Sequence, residues 1–119
     1  EIAQCLVGSE MCIRDRFMEL LNEKNFQEKI SKGVVVVDFF ATWCGPCRML
    51  APILEDVQEE LKDQAQIFKV DVDENEKLAR SFGIMSIPTI IVFVNGEMKD
   101  KRVGLMMKDE LLALVKKYL

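Results

Sequence analysis

Val34-Val35-Val36-Val37-Asp38-Phe39-Phe40-Ala41-Thr42-Trp43-Cys44-Gly45-Pro46-Cys47 decides the reading of this chain. Residues 34–41 form an apolar run interrupted only by Asp38. Such a run fits a central strand covered on both faces. Cys44 and Cys47 follow at once, three positions apart, and an amphipathic stretch follows them. A strand ends, two thiols appear, and a helix begins.

The pattern continues outward in both directions. Leu50, Leu54, Val57 and Leu61 share one helical face, which predicts a helix over residues 47–62 with Pro52 as a kink inside it. Upstream, residues 17–20 predict a short strand, and Asn22 is expected to cap a helix holding Phe26 and Ile30. Downstream, residues 66–72 read as a strand. Residues 74–82 read as a helix capped by Asp73 or Asn75 and stopped by Gly83. Residues 89–94 and 97–103 flank Asn95-Gly96, a strong hairpin signal. Residues 108–118 predict a helix with Leu111, Leu112, Leu114, Val115 and Tyr118 inward, acids at its front and lysines at its back. The order β-α-β-α-β-α-β-β-α predicts an α/β fold. The first three crossovers imply parallel strands and the Asn-Gly turn adds an antiparallel C-terminal hairpin. The expected sheet is therefore mixed but mostly parallel, with helices on both faces.

Composition narrows the class. The 119 residues suit one domain, and 50% are hydrophobic, enough for a core without disulfides or metal. With 16 Lys and Arg against 20 Asp and Glu the net charge is -4, and no basic patch suggests nucleic acid. No run approaches the roughly 18 apolar residues of a membrane span, and no secretory signal pattern is visible. Lys108-Asp109-Glu110-Leu111 spells a retention signal, but one that is read only at a C-terminus. Four cysteines and no histidine leave acid–base work to carboxylates, lysines or the thiols themselves. Residues 1–16, with Cys5 and Cys12, show no sustained period and look like a foreign tail. The domain is expected over residues 17–119, with Met18 a candidate initiator.

A free thiol has a pKa of roughly 8.5, so little of it is thiolate at neutral pH. Cys44, at a helix start, faces unpaired N–H groups and the positive end of the dipole, and both favour its anion. Side chains at i and i+3 lie about 5–6 Å apart at Cβ, close to the roughly 3.5–4.5 Å of a disulfide. The pair can therefore open and close with little backbone movement. Gly45 lets a partner backbone approach, and Pro46 sets φ in the first turn. Zinc is the main alternative, with Cys5 and Cys12 as the other sulfurs. A structural disulfide fits poorly, because so short a loop adds little stability. Asp38, an acid inside the apolar strand, is expected to have a raised pKa and to accept a proton from Cys47, with Lys69 on the adjoining strand as its partner. Trp43 is expected to stay exposed over the site, and Pro88 to open a strand. The seven methionines read as core filler.

Ala41-Thr42-Trp43-Cys44-Gly45-Pro46-Cys47 resembles the active-site signature of the thioredoxin family, and Asp38, Pro52, Lys69, Ile87-Pro88, Gly96 and Val103-Gly104 also match its pattern. The resemblance spans residues 17–119. It implies that Cys44 is the attacking thiolate, Cys47 the buried resolving thiol, and Asp38 with Lys69 the buried acid–base group. It implies a cis bond before Pro88 and a shallow groove of Trp43, Ile87, Pro88 and Gly104. Gly45 and Pro46 lie alongside, and extended substrate segments dock there through backbone hydrogen bonds. The implied activity is protein disulfide reduction, with no bound cofactor and with electrons from NADPH through a flavin-containing thioredoxin reductase. The implied partners are that reductase and disulfide-containing protein substrates. A monomer in the cytoplasm is expected. An oxidase or isomerase running the same chemistry backwards, or a subunit that clamps a partner in the groove, are the alternatives. Two departures stand out: Phe40 where tryptophan is frequent, and Leu105-Met106-Met107 in place of smaller or more polar residues.

Overall fold

The computed structural model describes residues 18–62 and 64–119. Its elements are β1 (Met18–Leu20), α1 (Phe26–Ile30), β2 (Val34–Phe40), α2 (Gly45–Leu61), β3 (Ala65–Asp71), α3 (Glu76–Ser81), β4 (Thr89–Val94), β5 (Glu97–Val103) and α4 (Lys108–Lys116). The strands form one sheet in the order β1-β3-β2-β4-β5. The apolar run 34–41 is its centre, as its composition requires: Val35, Val36, Val37 and Phe39 are fully buried. Phe17 and the tail 1–16, including Cys5 and Cys12, lie outside the described residues.

One expectation is corrected. β1 and β2 each run parallel to β3, but β4 runs antiparallel to β2, not parallel. The reason is length. α3 has six residues and spans about 9 Å, while the seven-residue β3 spans about 23 Å. So short a helix does not carry the chain back along the sheet. β4 therefore starts at the end where β2 and β3 finish. That reversal sets Pro88, just before β4, beside the cysteines that follow β2.

Alternate residues of the strands feed two cores. Val36, Ile67, Ile90 and Val92 pack against Leu50, Leu54, Val57 and Leu61 of α2 and Leu111, Leu114 and Val115 of α4. On the other face Val35, Val37, Phe39, Ile91 and Phe93 meet Phe26 and Ile30 of α1 and, beyond α3, Phe82 and Ile84. Phe26, Phe39, Phe82 and Phe93 pack as rings, with centroids 5.3–6.5 Å apart.

Local chemistry closes the elements. Asn95 (φ 52) and Gly96 (φ 87) both take positive φ and make the tight β4–β5 turn. Gly83 (φ 66) ends α3; its N–H reaches the Arg80 carbonyl and the Ile84 N–H that of Ala79. Glu110 accepts from the Met107 N–H at 3.2 Å and opens α4, so Lys108-Asp109-Glu110-Leu111 is simply a helix start. Asn22 does not cap α1. Its Oδ1 accepts from the N–H groups of Lys24 and Asn25, building a turn that delays the helix, and Asn25 is the N-cap. The cap of α3 is Asn75, not Asp73. β5 is the exposed edge and carries Glu97, Lys99, Asp100, Lys101 and Arg102.

Candidate active site

β2 ends at Phe40, and the chain turns through Ala41-Thr42-Trp43 into α2. Cys44 is the N-cap of α2, in extended conformation (φ -86, ψ 117), and its Sγ accepts from the Cys47 N–H at 3.2 Å. This places the sulfur on an unpaired donor at the helix start, where negative charge is favoured. Cys44 and Cys47 are joined by a disulfide, with Cα atoms 5.3 Å apart. Both are nearly buried, at 5% and 3% exposure, against Ala41, Phe40, Val72 and Ile87. Gly45 and Pro46 are exposed beside them, and a Cβ built on Gly45 meets nothing within 4 Å. The Arg48 guanidinium donates to the Thr42 carbonyl at 2.9 and 3.2 Å, holding the turn. α2 continues past Pro52, which is exposed and cannot donate to the Arg48 carbonyl.

The segment before β4 supplies the opposite wall. The Ile87-Pro88 bond is cis, and the Ile87 carbonyl oxygen lies 4.0 Å from Cys44 Sγ. The Pro88 carbonyl accepts from the Gly104 N–H at 2.8 Å, which brings Gly104 to the same end of the sheet. Trp43 is 66% exposed, as expected, and its Nε1–H donates to Asp73 Oδ2 at 2.8 Å. Asp73, read from sequence as a helix cap, is thus a support for the indole. Trp43, Val72, Ile84, Met85, Ser86 and Ile87 line a cavity of about 420 Å³ next to the disulfide. Met85 is 95% exposed, and Met49, Met98 and Met107 are exposed too, so these four methionines are not core filler. Neither Asp73 nor Met85 carried a sequence signal for this position; both lie on loops without a period.

Asp38 is fully buried, and neither carboxylate oxygen has a hydrogen-bond partner. Burial pushes its pKa up to about 7, against the opposing pull of the Lys69 ammonium. Asp38 and Lys69 are register neighbours on β2 and β3, and Lys69 Nζ sits over the Phe40 ring, 4.5 Å from its centroid. Asp38 shares with Phe40 and Val36 the sheet face that α2 covers.

Among the described residues no three acidic or sulfur side chains lie together as a metal site, and no helix is long and apolar enough to cross a membrane. A family profile described as Thioredoxin matches residues 17–117. The chain belongs to the thioredoxin family. It is 50% identical over 99 residues to the thioredoxin of Staphylococcus haemolyticus, covering 83% of this chain and 95% of that protein. It is 46% identical over 97 residues to the thioredoxin of Bacillus subtilis, covering 82% and 93%. Its fold matches that of a point mutant of thioredoxin from Halobacterium salinarum NRC-1 with a TM-score of 0.80 at 37% identity, covering 85% and 89%.

Thioredoxin membership and the paired cysteines make the chain a thiol–disulfide oxidoreductase with protein-disulfide reductase activity. Thioredoxins carry electrons on the cysteine pair itself and bind no cofactor. Their usual supply is NADPH through a flavin-containing reductase. In general terms, a thioredoxin reductase and disulfide-bearing substrates are therefore its partners.

Proposed function

We propose that residues 17–119 act as a monomeric, general protein disulfide reductase of the cytoplasm, in which Cys44 attacks and Cys47 resolves. What carries this reading is the Cys44 sulfur capping α2 while it is bonded to Cys47. When the pair is reduced, a thiolate at Cys44 keeps that N–H donor. It attacks one sulfur of a substrate disulfide; the substrate's second sulfur leaves as a thiolate, and a mixed disulfide remains. Cys47 gives its proton to the Asp38 carboxylate and attacks the Cys44 sulfur. The second substrate thiol departs, and two electrons have passed from the cysteine pair to the substrate. A carboxyl titrating near 7 suits that transfer, because it accepts and returns a proton at the working pH. Lys69 moderates its basicity.

The groove of Trp43, Ile87, Pro88 and Gly104, with Gly45 and Pro46 alongside, receives an extended substrate segment in this reading. The exposure of Trp43 and the open space at Gly45 support it. The test is insulin reduction coupled to NADPH oxidation through a thioredoxin reductase. Cys44→Ser is expected to be inactive, and Cys47→Ser to accumulate a mixed disulfide visible by mass spectrometry. A Cys44→Ser variant as fast as the parent would overturn the assignment.

A further inference from the structure

Lys69 places a charge beside the buried acid, and one contact settles where that charge sits. A lysine carries its ammonium on a flexible four-carbon stem, and hydration draws the head toward water. Among the described residues this ammonium makes no hydrogen bond or ion pair; it rests over the Phe40 ring at 4.5 Å, well inside the range of cation–π attraction. Phe40 is half-buried and packs against the cluster of Ala41, Cys44 and Cys47, so the redox module itself holds the ring. Phe40 also stands two residues from Asp38, on the same face of β2.

We propose that Phe40 is a positioning residue whose ring parks the Lys69 ammonium near Asp38 and so sets how readily that carboxyl holds a proton. The inference rests, for its catalytic meaning, on the proposed proton role of Asp38. β3 carries Lys69 beside Asp38 and, two residues on, Asp71 opposite Phe40; among the described residues Lys69 is the charge that acts on Asp38. From β4, Thr89, Ile90 and Ile91 are uncharged. The buried residues of α2 are Cys47, Leu50, Leu54, Val57, Gln58 and Leu61, none of them charged, with Arg48 exposed and Glu55 half-buried on the same helix. α4 turns Leu111, Leu114 and Val115 inward. Removing the ring frees the ammonium toward solvent, and the carboxyl then loses part of the attraction that opposes its burial. Phe40 stands where tryptophan, the stronger π partner, is frequent in the family that this chain resembles.

The test follows the Asp38 carboxyl by ¹³C NMR titration of the full chain in its disulfide form, where neither thiol titrates. Phe40→Leu is expected to raise the Asp38 midpoint by about half a pH unit. Phe40→Met, which keeps bulk without a π face, is expected to do the same and serves if the leucine variant folds poorly. In a Lys69→Gln background the Phe40 substitution is expected to move nothing. A midpoint unchanged by both Phe40 variants overturns the inference. So does a shift of equal size in the Lys69→Gln background, which would mean that the ring acts through packing alone. Turnover of Asp38→Asn is read separately. If its pH profile matches the parent's, the proton role falls while the effect of the ring on the titration still stands.

Discussion

A carboxyl at the centre of a sheet, with no donor on either oxygen, binds its proton more tightly folded than unfolded. The sign of its effect on stability follows. Below about pH 4 the carboxyl is protonated in both states and contributes nothing. As pH rises toward 7 the unfolded chain releases the proton first, so stability falls; above 7 the full cost is present. The gap corresponds to on the order of 4 kcal/mol. Asp38→Asn is therefore expected to be more stable than the parent by roughly 2–4 kcal/mol at pH 8 and nearly equal to it at pH 4. Urea unfolding of the disulfide form at both values checks this; an equal difference at both would refute it. The same variant is expected to slow turnover at pH 7 about tenfold or more, read in the insulin assay. That the Asp38 carboxyl would resist ionising was legible in the sequence, because an acid inside a valine run is costly to charge. Its lack of hydrogen bonds was not, since that depends on what the facing helix presents.

At the level of elements, periodicity named the strands and helices but not every direction. Residues 89–94 read correctly as a strand. Only the brevity of α3 shows that they run opposite to β2. The cysteine motif was fully legible, because a strand, a cap position and a proline in the first turn are all local. Trp43, Asp73 and Met85 form their arrangement through loops, where no repeat betrays a contact. The exit from α3 yields a prediction of its own. Gly83 holds φ 66, and a Cβ there would meet only Lys101 Nζ at 3.7 Å, an ordinary contact. The penalty of Gly83→Ala is thus in the backbone, about 1 kcal/mol, and calorimetry should find a melting temperature roughly 4–8 °C lower. Lys101 also donates to the carbonyls of Phe82 and Gly83 at 3.1 and 3.2 Å, so β5 seals the end of α3. Leu54, fully buried between α2 and the sheet, should lose about 2–5 kcal/mol as Leu54→Ala, measured by chemical denaturation.

For the molecule as a whole, the family match begins at residue 17, and residues 1–16 carry no sustained sequence period. A chain starting at Met18 is accordingly expected to keep its melting temperature within about 2 °C and its insulin turnover within about twofold, margins under 1 kcal/mol. A large loss of either would show that the preceding residues belong to the domain. Finally, the β5 border of the sheet carries Glu97, Lys99, Asp100, Lys101 and Arg102. Another polypeptide approaching to extend the ladder would have to desolvate that row of mixed charge. A fringe of this kind opposes strand pairing between neighbouring copies. Light scattering at millimolar concentration should accordingly report single particles.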